Sequence, residues 1–115
     1  MNNKKIINCT PHDVSVKLEN GEIITYKPSG NIARVVNTEE YINEDINGIP
    51  LIKSVTSEPF GVPAPQKDTL YIVATMVLES PTNTRYDLIA PNTGMTACRD
   101  SNGRIKYVTS FKVKA

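Results

Sequence analysis

Val14, Val16 and Leu18 alternate with Ser15, Lys17 and Glu19. A period of two is that of a strand with one buried face. Asn20-Gly21 follows and Ile23, Ile24 and Tyr26 return, which predicts a hairpin closed by a type I′ turn, with positive φ at both central residues. Before it, Lys4 to Asn8 reads as a short first strand, broken by Cys9-Thr10-Pro11-His12-Asp13 because Pro11 has no N–H and holds Thr10 extended. After it, Pro28-Ser29-Gly30 forms a tight turn, and Ile32, Val35 and Val36 predict a third strand carrying Arg34.

Thr38 to Asp45 holds four acidic residues and reads as a solvated loop, with Thr38 able to cap a single helical turn. Asn47-Gly48 is a further turn, and Ile49 to Val55 a strand with Pro50 near its start, where proline is tolerated. Residues 58–68 contain three prolines and a glycine, which predicts the longest loop of the chain. Thr69 to Leu78 is the only long continuous apolar run. Its β-branched and aromatic first half predicts a central strand buried on both faces, while Ala74 to Glu79 could turn into a short helix. Arg85 to Pro91 predicts another strand. Thr96 to Asp100 and Arg104 to Val108 predict a hairpin across Asn102-Gly103, with Phe111 and Val113 extending its last strand.

Roughly eight short strands with at most one or two short helices define a mainly β (or α+β) protein. The expected architecture is a small single-domain β-barrel or sandwich built from hairpins over residues 1–115, since one flat sheet of so many strands would leave a face and two edges uncovered.

A chain of 115 residues is one domain's worth and buries roughly 65% of the surface its unfolded form exposes, enough for a core without staples. The net charge of +1 argues against a protein that coats extended nucleic acid. No apolar run reaches the ~18 residues of a membrane span. Met1-Asn2-Asn3-Lys4-Lys5 is followed only by Ile6 and Ile7, too short for a signal peptide, so a cytoplasmic location is expected. There Cys9 and Cys98 are expected as free thiols, one or both buried.

Candidate chemistry is sparse. Lys27 to Val35 sets backbone N–H groups of the Pro-Ser-Gly turn beside Arg34, an arrangement suited to an anion, so Ser29, Gly30 and Arg34 are candidate contacts. Thr10-Pro11-His12-Asp13 places the sole histidine beside a carboxylate, either as a general base or as a turn bonded to local backbone. Zinc would need Cys9, His12, Cys98 and a carboxylate, at a spacing no common finger has. Arg85 with Asp87, and Arg99, sit at turn-to-strand junctions; they could line an anionic pocket, or the Arg85–Asp87 and Arg99–Asp100 pairs could neutralise each other at the surface. Alternation groups Lys106, Lys112 and Lys114 on one solvated face. Neither a phosphate-binding glycine loop nor a nucleophile elbow occurs, and no cofactor is implied.

Five pieces in order carry a resemblance: Ile7-Asn8-Cys9-Thr10-Pro11-His12; Pro28-Ser29-Gly30-Asn31-Ile32-Ala33-Arg34; Leu70-Tyr71-Ile72-Val73; Arg85-Tyr86-Asp87-Leu88 with Pro91; and Arg99-Asp100 with Gly103 and Ile105. The ordered set resembles a group of small, mostly uncharacterised proteins encoded by bacteriophages and prophages. Cys9 stands where that group is expected to carry leucine before Thr-Pro-His, and Tyr41 to Asp45 is a longer insert. The resemblance implies an accessory protein acting against host defence, by analogy a sponge that sequesters a nucleotide-like immune signal. Thr10, His12, Ser29, Gly30, Arg34, Arg85, Asp87 and Arg99 are then the expected ligand contacts, and a homo-oligomer is left open. An enzyme that cleaves such a ligand with His12 as general acid/base, and an inhibitor that grips a host defence protein through loop 58–68 and Phe60, are the alternatives.

Overall fold

The computed structural model describes residues 4–115, so Met1, Asn2 and Asn3 of the basic start lie outside the described residues. The elements in order are β1 (Lys5–Asn8), β2 (Val14–Lys17), β3 (Ile23–Tyr26), β4 (Asn37–Ile46), β5 (Ile49–Thr56), β6 (Thr69–Ile72), α1 (Thr75–Leu78), β7 (Leu88–Pro91), β8 (Cys98–Arg99), β9 (Ile105–Tyr107) and β10 (Phe111–Val113). The protein is mainly β.

The apolar run supplies the middle of the molecule. β6 lies between β1 and β7, parallel to both, and β10 closes the sheet antiparallel to β7, giving the order β1-β6-β7-β10. Tyr71, Ile72 and Val73 are fully buried, as expected of a strand covered on both faces. Successive residues point to opposite faces. Tyr71, Val73, Leu88 and Ala90 therefore pack with Cys9, Ala33, Val77 and Leu78 on one side. Ile72 and Ile89 pack with Val14, Val16 and Val108 on the other.

The second face is covered by two hairpins, β2–β3 and β8–β9. Val108 joins them, donating its N–H to the Ser15 carbonyl (2.9 Å) and accepting from the Lys17 N–H (2.9 Å). The result is sandwich-like; the sheets do not close into a barrel. Among the described residues no helix is long and apolar enough to cross a membrane.

Several local expectations change. At Asn20-Gly21 only the glycine has positive φ (89°), and the Gly21 N–H bonds the Leu18 carbonyl (2.9 Å). That is a tight turn followed by a glycine bulge, and the two-residue type I′ turn occurs instead at Asn47-Gly48, with φ of 51° and 79°. The predicted third strand shrinks to a single bridge, in which Arg34 and Phe60 exchange both backbone hydrogen bonds at 2.9 Å. Gly61 makes that approach feasible: its φ is +85°, and a Cβ there would run into the Ile32 carbonyl. The expected acidic loop is instead strand β4, paired with β5 in a long hairpin whose register shifts between Tyr41 and Asp45. Ala74 to Glu79 takes the helical option, and the single turn α1 buries Val77 and Leu78. Phe111 and Val113 belong to the central sheet and do not extend β9.

Candidate functional site: a groove at the ends of three parallel strands

Because β1, β6 and β7 run parallel, all three deliver the chain to the same edge of the sheet. Crevices outside the carboxyl ends of parallel strands are where α/β sheets bind ligands. Here the crevice is a groove of about 930 Å³, near the upper end of the range for small-molecule sites. Its floor is apolar, with Val14, Val73, Pro91, Ile105 and Val108. One wall is the loop after β1, with Thr10, His12 and Asp13, and Thr75 stands at the start of α1. A second part of the lining is the β8–β9 hairpin, with Arg99, Arg104 and Lys106. The lining carries three cations and one carboxylate.

Asn8 holds the first wall. It is 2% exposed, and its amide donates to the carbonyls of His12 (2.7 Å) and Tyr26 (2.9 Å). Its oxygen accepts from the Thr10 N–H (2.9 Å) and the Thr10 hydroxyl (2.6 Å). One side chain thus folds Cys9 to Asp13 back over the strand end and ties it to β3. The Thr10 proton is committed inward, and its oxygen lone pairs remain for a ligand donor.

Arg99 holds the second wall. Its guanidinium donates to the Gly103 carbonyl (2.9 Å) and the Thr93 carbonyl (3.2 Å), pinning the hairpin to the loop after β7. Asp100 does not pair with Arg99; its carboxylate accepts the N–H groups of Asn102 (2.8 Å) and Arg104 (3.0 Å) and shapes the turn. Among the described residues Arg104 and Lys106, both exposed, make no ion pair.

Of the expected contacts, Thr10, His12 and Arg99 converge on this groove, and Ser29, Gly30, Arg34, Arg85 and Asp87 do not line it. The Ser29 N–H is taken by the Asn8 carbonyl (2.9 Å), and the Ser29 hydroxyl accepts from the Asn31 N–H (3.4 Å), so the Pro-Ser-Gly turn spends donors on its own chain. Arg34 is exposed at the bridge to Phe60. Arg85 grips Asp87 with two hydrogen bonds of 2.9 and 2.7 Å while lying 5.5 Å from the centre of the Tyr71 ring. The hydrogen bonds to Asp87 push the Arg85 pKa up, so this guanidinium is a permanent structural cation. The pair is only 24% and 20% exposed. Asp87→Ala is expected to cost about 1–3 kcal/mol by leaving Arg85 half-buried without its partner, read by urea unfolding, with ligand binding at the groove unchanged.

Lys106 and Arg104 were missed as contacts because alternation assigns Lys106 to one face with Lys112 and Lys114. The chain turns at Thr109-Ser110, so Lys112 instead meets Glu79 (3.7 Å) and Lys114 lies 5.1 Å from the centre of the Tyr86 ring. Asn8 was missed as well. Its signal is the Asn-x-Thr-Pro run, in which a short amide can bond the N–H two residues on.

Both cysteines are free, Cys9 buried and Cys98 half-buried. Burial pushes the Cys9 thiol up, partly opposed by the Ser29 hydroxyl and the Arg85 charge. A short pulse of an alkylating reagent on the native protein is expected to label Cys98 and spare Cys9, as read by peptide mass spectrometry. Among the described residues no group of three or more His, Cys, Asp or Glu is placed to hold a metal ion, so Cys9, His12 and Cys98 form no such set.

No known protein family, curated protein or solved structure matches this chain.

Proposed function

We propose that the protein binds and sequesters a nucleotide-like anionic small molecule in this groove, as a phage-type accessory protein acting against host defence in the host cytoplasm. The observation that supports the reading is the pairing of an apolar floor with three cations on one wall. A flat ring system suits the apolar surface that Pro91 and Ile105 leave accessible, and a phosphate suits Arg104, Lys106 and the free N–H groups of Arg99. Thr10 and His12, also in the lining, supply polar contacts to base or ribose. The counter-defence setting comes from the sequence resemblance alone.

His12 stands at the groove wall beside the cationic rim, where it could exchange a proton with a bound phosphoester, so cleavage is the second reading. The experiment that separates the two is to incubate the purified protein with a panel of nucleotides, remove free ligand, heat-denature and identify what is released. Intact nucleotide supports sequestration. A chemically altered product, abolished by His12→Ala, establishes the enzyme instead. No retention and no turnover sinks both and leaves inhibition of a host defence protein through loop 58–68.

A further inference from the structure

Among the described residues the hairpin of β4 and β5 packs appreciably on no other strand or helix. It carries Tyr41, Ile42, Ile46, Ile49 and Ile52, all 40–63% exposed. The molecule is correspondingly drawn out to 60 × 38 × 25 Å, with a radius of gyration of 17.5 Å, against ~13 Å for a compact domain of this length. A two-stranded ribbon alone in water is marginal at best. Its apolar side chains and unpaired edges call for a partner.

The two edges differ. β4 carries Glu39, Glu40, Glu44 and Asp45 and is interrupted by a bulge, with Asn43 at φ 63°. Charges and bulges are what blunt an edge strand against pairing. β5 reads Ile49-Pro50-Leu51-Ile52-Lys53-Ser54-Val55-Thr56, with one lysine and no carboxylate, and the extra residues of the register shift lie on β4. Lys53 is already engaged by Glu40 across the ribbon (3.7 Å). The β5 edge is the less protected of the two, its blunting features being Pro50 at one end and the already paired Lys53.

The direction of its backbone groups follows from the turn. The residues flanking a two-residue turn, Ile46 and Ile49, form a hydrogen-bonded pair. Alternation then points residues 49, 51, 53 and 55 at β4, in keeping with the Ser57 N–H bonding the Val36 carbonyl (2.8 Å). Ile52, Ser54 and Thr56 point their N–H groups outward, and Pro50, also outward-facing, has none to leave unpaired.

We propose that this edge is a self-association surface, whose occupant is the β5 edge of a second copy, antiparallel about a two-fold axis at Ile52. In that register Ile49 faces Val55, Pro50 faces Ser54 and Leu51 faces Lys53, so no charge meets its like. The four-stranded sheet β4-β5-β5-β4 sets the two acidic strands three spacings apart, about 14 Å, beyond the ~8 Å screening length at physiological salt. Pairing through β4 would instead bring eight carboxylates together. The charge pattern therefore selects a copy of the chain joined through β5, and the groove reading is not needed for it.

The test uses the full chain. Wild type is expected to sediment with the mass of two chains, while Ser54→Pro, which removes only an outward N–H, and Ile52→Lys, which sets two charges face to face, sediment as monomers with unchanged circular dichroism. In a Cys98→Ser background, Ile52→Cys is expected to give a disulfide-linked dimer under mild oxidation and Glu40→Cys to give none. A wild type that is monomeric at millimolar concentration, a dimer that survives both edge variants, or equal crosslinking at positions 40 and 52 overturns the proposal. So does a monomer that binds a host protein through this arm.

Discussion

Replacing Asn8 by alanine is expected to lower stability by about 2–4 kcal/mol, and the melting temperature by roughly 10 °C. The side chain is almost completely buried and completes bonds to Thr10, His12 and Tyr26, at 2.6–2.9 Å. Alanine removes those partners while leaving two carbonyls and an N–H in place, and an orphaned polar group costs more than the bond it loses. The loss reaches the groove too. Without the amide, the loop from Cys9 to Asp13 has no other side chain tying it to β3, so Thr10 and His12 lose their fixed separation from the cationic wall. Calorimetry should show the fall in melting temperature. If the groove reading holds, nucleotide retention should fall with it, although Asn8 itself touches no ligand. A variant that melts within 2 °C of wild type would show that the loop is held by other means.

The double charge reversal Arg104→Glu with Lys106→Glu is expected to abolish nucleotide retention, by about a hundredfold or more, at nearly unchanged melting temperature. Both side chains are exposed and, among the described residues, unpaired, so folding depends little on them. A hydrogen bond to a charged group contributes about 1.5–3 kcal/mol, and reversal adds repulsion. Arg34→Ala, remote from the groove, serves as the control and should retain ligand as wild type does. Retention should also weaken as salt rises, since both cations sit at a solvated rim. If the reversal leaves retention intact and Arg34→Ala destroys it, the ligand sits against the Pro-Ser-Gly turn and the groove is not the site.

Local features of the fold were legible where one force dominates. The alternation at Val14 to Leu18 and the apolar block at Tyr71 to Val73 report burial directly, and β2 and β6 follow. The acidic segment was misread because charge says where water is and says little about backbone conformation; Glu39 to Asp45 can be fully solvated in a ribbon as well as in a loop. Arg34 could not become part of a strand because the proline-rich segment around Phe60 offers it a single pairing position.

For the groove, what escaped reading is long-range geometry. Thr10 and His12 were visible as a polar cluster, yet nothing local shows that β1 ends beside β6 and β7, nor that the β8–β9 hairpin folds across them. Ser29 and Arg85 looked equally suitable, but the first donates to Asn8 and the second to Asp87. Both are donors whose partners lie within their own chain.

The parallel pairing of β1 with β6 also governs how the chain reaches this state. Lys5 pairs with Thr69 and Asn8 with Ile72, so β1 must wait for a segment synthesised more than sixty residues later, a separation that slows folding into the range of about milliseconds to seconds. The β4–β5 hairpin is purely local and closes in about 1–10 μs. Its open edge can therefore be sampled before the central sheet exists, and since a lone ribbon is marginal, pairing of two nascent arms on one messenger would itself stabilise each while the rest of the chain is still a coil.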